Sequence, residues 1–185
     1  MKLTLSLATI GLFALPALSG RQDAKAAADV GQKIPQFSAQ AVAQVDSHDS
    51  KFVTAYMIVG TKCGATPSYA KRFKALEDEY RGKGVEFLYV FPNKTESREE
   101  KLGWMKQVGL HSAMVDDEGA KITQALGFQQ TASVLLVDKD GKIVYRGGID
   151  DNRDEKAVKH AYLAEAIKET LAGKPVSVTS SKAFG

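Results

Sequence analysis

The sequence predicts an α/β domain, a mixed β-sheet with helices on both faces. An uncharged apolar run, Phe52 to Val59, passes directly into a strongly amphipathic helix, the pattern of a central strand followed by a crossover. Later, two apolar runs flank Asp138-Lys139-Asp140-Gly141, which reads as an antiparallel hairpin with turn residues in place. Parallel crossovers first and a hairpin late require a mixed sheet.

The elements follow in order. Gly31-Gln32-Lys33-Ile34-Pro35-Gln36-Phe37 opens the domain, with Ile34 and Phe37 as apolar pins, and Ala41 to Val45 predicts a short edge strand. After the Phe52–Val59 strand, Ser68 to Arg81 predicts a helix whose Tyr69, Phe73, Leu76 and Tyr80 form one core stripe. Thr66 suits its N-cap and Pro67 its first turn. Val85 to Phe91 is a second strong strand. Ser97 and Glu100 form a capping box for a helix to Val108, stopped at Gly109. Ala113 to Val115 predicts a short strand, and Ile122, Ala125 and Leu126 a short helix closed by Gly127. Ser133–Val137 and Ile143–Arg146 are the hairpin strands. A last helix is expected over Glu155 to Ala172, ended by Gly173 and Pro175.

At 185 residues the chain holds one domain plus extensions. Residues 1–20 read as a signal peptide: Lys2 is a small basic start, Leu3 to Leu18 an apolar core, and Ala17 and Ser19 suit a peptidase site. A linker is expected over 21–29, the domain over 30–174 and a flexible tail over 175–185. No later apolar run is of spanning length, so no stable membrane span is expected after cleavage, and a periplasmic or extracellular location is expected. The net charge of +3 is too small and scattered to argue for nucleic acid.

Export implies an oxidising compartment, where cysteines usually pair. Cys63 is the only cysteine, so it cannot close an internal disulfide. It lies where strand hands over to helix, in Val59-Gly60-Thr61-Lys62-Cys63-Gly64-Ala65-Thr66-Pro67. Helix N-termini and a neighbouring cation, here Lys62, lower a thiol's pKa. A thiol near pKa 8.5 is about 3% ionised at pH 7. Lowering its pKa also weakens it as a nucleophile, so the larger gain is as a leaving group.

In these residues the chain resembles the thioredoxin fold, and more closely its redoxin branch, the alkyl hydroperoxide reductase/thiol-specific antioxidant superfamily. The resemblance spans Val30 to Gly173. It is carried by Gly31–Phe37, Gly60-Thr61-Lys62-Cys63, Lys83-Gly84-Val85-Glu86-Phe87, Asp117-Glu118-Gly119, Val134–Asp138 and Tyr145-Arg146-Gly147-Gly148-Ile149-Asp150-Asp151. It implies a redox thiol at Cys63, with Lys62 and Thr66 beside it and the Gly64, Ala65 and Thr66 amides facing the thiolate. It also implies a substrate groove lined by Gly64, Ala65, Thr131 and Ala132.

The sequence departs from the family at the site. Thr66 stands where thioredoxins have a second cysteine, and Tyr56 and Gly60 where peroxidases have proline and threonine. Thr131-Ala132 replaces the dipeptide that ends in cis-proline, so a trans bond is expected. If Pro67 starts the helix, Cys63 lies in the preceding loop; family geometry would put it in the first turn. Two functions stay open. One is a monothiol oxidoreductase or antioxidant-type protein, served by an external thiol reductant or a disulfide-bearing protein. The other is a redox-silent binding module for a protein partner.

No cofactor or metal is expected. His48, His111 and His160 are far apart and lack ligand spacing with Cys63. Asp138–Gly141 lacks the remaining acids of a calcium loop, and Trp104 reads as packing. Arg146 either approaches the thiol or caps a sheet edge.

Overall fold

The computed structural model describes residues 28–40, 44–46 and 49–184. The expected signal peptide and nearly all of the expected linker lie outside the described residues.

The core is a five-stranded sheet of β3 (Val53–Ile58), β4 (Val85–Phe91), β5 (Ala113–Asp116), β6 (Ser133–Val137) and β7 (Ile143–Gly147), in the order β5-β4-β3-β6-β7. β3, β4 and β5 run parallel, while β6 is antiparallel to β3 and β7 to β6. Every residue of β3 is buried, as an uncharged apolar run demands. Its residues alternate between two cores. Ala55 and Met57 face α1 (Thr66–Tyr80), α2 (Arg98–Val108) and α4 (Tyr162–Leu171); Tyr56 and Ile58 face α3 (Lys121–Ala125) and the opening segment through Ile34. Helices therefore cover both faces, three against one.

The predicted stripe Tyr69, Phe73, Leu76 and Tyr80 is buried, and both halves of the Ser97–Glu100 capping box form. Trp104 sits edge-on to Phe73 and Phe91, a packing residue. Asp138 Oδ1 accepts from the amides of Asp140 and Lys142, which closes the predicted hairpin turn.

Four elements differ from expectation. Residues 41–43 of the expected Ala41–Val45 edge strand lie outside the described residues; Gln44 and Val45 belong to β2 (Gln44–Asp46), which pairs with β1 (Ser38–Gln40) in a separate two-stranded sheet and not at the edge of the main one. Helix α1 starts at Thr66 with Ala65 as N-cap, because the Thr66 hydroxyl accepts the Gly60 amide rather than capping its own helix. The helix expected from Glu155 is only a 3₁₀ turn, Glu155–Ala157, followed by extended residues and then α4. Asp151 holds the intervening chain extended, its carboxylate accepting from the Lys159 amide while its own amide donates to the His160 carbonyl.

The fourth difference is the tail. Expected to be loose, it is hydrogen-bonded along β7: the Arg146 amide donates to Thr179 O at 3.0 Å, and Ser181 N donates to Arg146 O at 3.1 Å. The Tyr145 hydroxyl meets Ser181 Oγ at 2.6 Å. Gly147 and Gly148 make this approach possible. A Cβ on Gly147 would lie 2.6 Å from the Ser181 carbonyl oxygen, and one on Gly148 2.8 Å from that of Lys182. Among the described residues no helix is long and apolar enough to cross a membrane.

Gly147→Ala is expected to lower stability by about 1–3 kcal/mol through overpacking and to expose the tail to protease. Urea unfolding and limited proteolysis check it; an unchanged midpoint and cleavage rate would contradict the docking described.

Candidate active site

Strand β3 ends at Ile58, and the chain must leave the sheet before α1 can start. It does so through a turn in which the Cys63 amide donates to Gly60 O at 3.3 Å. Cys63 is therefore in the loop, two residues ahead of the Ala65 N-cap, and it is half-buried. Its sulfur still faces the helix start, accepting the Ala65 amide at 3.4 Å.

The nearest donor comes from across the sheet. In the β3/β6 register Ile58 pairs with Ser133, and continuing it sets Gly60 beside Thr131. From there Thr131 Oγ1 donates to Cys63 Sγ at 2.8 Å. Ala132 adopts the left-handed conformation, φ 55°, as the chain enters β6, and the Thr131–Ala132 bond is trans as expected. For an alanine that conformation costs about 1–2 kcal/mol.

Burial pushes the Cys63 thiol up. Hydrogen bonds from the Thr131 hydroxyl, the Thr66 and Ala65 amides and the Thr66 hydroxyl outweigh it, and the thiol is held below its ordinary pKa. Lys62 is engaged elsewhere. Its Nζ pairs with Glu100 at 2.9 Å and donates to Thr95 O at 3.0 Å. The expected effect of Lys62 on the thiol is thus replaced by hydrogen bonding, because a surface carboxylate takes the ammonium.

Of the residues expected to line a groove, Thr131 is partly exposed and Gly64 exposed, while Ala65 and Ala132 are buried. The Gly64 carbonyl accepts from Arg153 Nη2 at 3.0 Å. Beyond Thr131 opens a cavity of about 440 Å³, lined by Asn93, Thr123, Gln124, Phe128 and Gln130 among others.

Sequence reasoning missed Glu96. Its carboxylate is buried and accepts from the amides of Thr61 (3.0 Å) and Lys62 (3.1 Å) and from Asn93 Nδ2 (2.8 Å). The available signal was its position just past β4, at the same sheet end as Cys63, where parallel strands gather functional loops. Arg146 is a clasp: its guanidinium donates to the carbonyls of Ala28, Leu126 and Gly127 and stacks on Phe128. His111 and His160 do not meet Cys63: the His111 amide serves Glu77, and the His160 ring stacks on Tyr162. His48 lies outside the described residues. No group of three His, Cys, Asp or Glu among the described residues is gathered to hold a metal.

A mixed sheet with a thiol in the loop ahead of α1, facing the segment that enters β6, defines a thioredoxin-fold domain. The redoxin family model matches residues 29–162, and the chain belongs to that family. Its fold is similar to that of an uncharacterised conserved protein from Geobacillus kaustophilus, at 24% identity and TM-score 0.75, covering 83% of this chain and 89% of that one. A hypothetical protein from Sinorhizobium meliloti is similar at 20% identity and TM-score 0.74, covering 83% and 92%. The thioredoxin domain of a thiol-disulfide oxidoreductase from Bacteroides vulgatus is similar at 15% identity and TM-score 0.55, covering 63% and 86%. No curated protein matches the sequence.

Thr131→Val removes the hydroxyl donor at nearly constant volume, so the pH inflection of Cys63 alkylation is expected to rise; Lys62→Ala is expected to leave it in place. The opposite pattern would restore Lys62 to the site. The sign also fixes a stability effect. A native pKa below the unfolded one stabilises the fold above the unfolded pKa, and that gain is lost as pH falls through the native value.

Proposed function

We propose that this redoxin is an exported monothiol thiol-disulfide oxidoreductase, acting in the periplasm or outside the cell through Cys63. The observation that carries the reading is the half-buried sulfur held by Thr131 Oγ1 at 2.8 Å and the Ala65 amide at 3.4 Å, with its pKa lowered. The name of the Bacteroides relative, a thiol-disulfide oxidoreductase, supports the reaction class. The signal-like residues 1–20 support export.

The reaction is an exchange. The Cys63 thiolate attacks one sulfur of a substrate disulfide R–S–S–R′, forming Cys63–S–S–R and releasing R′–S⁻, which takes a proton from solvent. An external thiolate R″–S⁻ then attacks the R sulfur. R–S–S–R″ forms and Cys63–S⁻ leaves; a second external thiolate then attacks the R″ sulfur, forming R″–S–S–R″ and releasing R–S⁻, so the substrate disulfide is reduced by two external thiols with no net oxidation of Cys63. Thr66 stands where a second thiol would resolve the mixed disulfide internally, so the external thiol is obligatory. The donors that lower the pKa of Cys63 favour its departure in the second step more than its attack in the first. Gly64 and Thr131 form the rim on which the substrate disulfide rests, and the cavity beyond Thr131 leaves room for the group R.

Disulfide reduction by the mature protein should require an added small thiol and vanish in Cys63→Ser. It should leave a trappable mixed disulfide on Cys63 when that thiol is withheld. An ordinary thiol pKa with no turnover would remove the enzymatic reading and leave a thioredoxin-fold binding module.

A further inference from the structure

We propose that Glu96 is the positioning residue of this site, fixing the turn that ends on Cys63 so that the sulfur meets its donors. The inference rests on the monothiol reading above. Thr61 and Lys62 are the central residues of the Gly60–Cys63 turn, and both of their amides point at the same buried carboxylate, 3.0 and 3.1 Å away. Successive amides converging on one anion form a nest, here filled by a side chain of the protein itself.

The arrangement is built from both sides. Asn93 Nδ2 donates to Glu96 Oε1 at 2.8 Å, bracing the carboxylate from its own loop. The absent side chain of Gly60 is what lets the two loops meet: a Cβ there would lie 2.5 Å from Asn93 Nδ2, 3.4 Å from Glu96 Oε1 and 3.4 Å from Thr131 Cγ2. Gly60 thus touches the anchor on one side and the thiol's main donor on the other. Glu96 is 3% exposed, and no ion pair among the described residues includes it. Lys62, whose amide donates to Glu96, pairs its own ammonium with Glu100. A buried carboxylate without a cation is costly unless its hydrogen bonds are met. Here three donors meet them, and two of those belong to the turn ending at the thiol.

Removing the carboxylate leaves the Thr61 and Lys62 amides without their acceptor. The turn then has no fixed position relative to Thr131 and the start of α1. Glu96 touches neither Cys63 Sγ nor substrate, so its effect is read at the thiol and not through direct chemistry.

The test compares Glu96→Ala, Glu96→Gln and Glu100→Gln in the mature protein. The readout is the pH profile of Cys63 alkylation, with circular dichroism and Trp104 fluorescence confirming the fold. Glu96→Ala is expected to raise the inflection toward that of a free cysteine and slow alkylation at neutral pH several-fold. Glu96→Gln keeps one acceptor oxygen but turns a donor toward an amide, so an intermediate shift is expected. Glu100→Gln, which breaks the surface pair with Lys62 and keeps an amide oxygen for the Ser97 N–H, should leave the profile unchanged. Folded Glu96 variants with the wild-type inflection would overturn the proposal, even if less stable. So would a Glu100→Gln shift as large as theirs. If Glu96→Ala does not fold, the Glu96→Gln profile decides by the same criterion. A wild-type inflection at the ordinary cysteine value would instead sink the monothiol reading, so the two failures are distinct.

Discussion

The antiparallel register of β3 against β6, with Ile58 opposite Ser133, brings the Thr131 hydroxyl 2.8 Å from Cys63 Sγ. That register is itself enforced by burial. β3 alternates its side chains between two cores, so a slip of one residue would exchange Tyr56 and Ile58 for Ala55 and Met57 on each face. A hydrogen bond at the surface thus inherits the precision of the most buried strand. The left-handed Ala132 is the local strain at this crossing, absorbed where strand β6 is about to be locked between β3 and β7.

The electrostatics at the thiol are those of dipoles. Burial acts against the thiolate, yet two hydroxyls and two amides reverse the balance without a cation in contact. Fixed dipoles of this kind are screened less by salt than an exposed ammonium would be. Lys62, beside the thiol in sequence, pairs instead with Glu100, which joins the turn ending at Cys63 to the first turn of α2. With a threonine at the second-cysteine position, the chemistry proposed for the protein is exchange with a partner thiol.

Much of the fold was legible because its elements carry strong periodic signals. The β3 run, the α1 stripe, the capping box and the hairpin turn all appear where the residues placed them. The misplaced boundaries share one cause: side chains spent on tertiary contacts. Thr66 gives its hydroxyl to Gly60, and Asp151 straightens the chain that periodicity would have made helical. The tail looked loose because its polar residues carry no pattern, while the diglycine slot that receives it lies over thirty residues earlier. At the site, Cys63 was visible as the lone thiol. Its donors were less so: sequence proximity favoured Lys62, whereas strand register supplies Thr131. Glu96 was hidden because a buried carboxylate and a surface one read alike in sequence.

The site depends on a Cys63 thiol tuned by hydrogen bonds. The ultraviolet absorbance of the thiolate, titrated in the mature protein against Cys63→Ser, measures this directly. The expected inflection lies below that of a free cysteine and shifts upward in Thr131→Val. An inflection at or above the free value, unmoved by Thr131→Val, would contradict it.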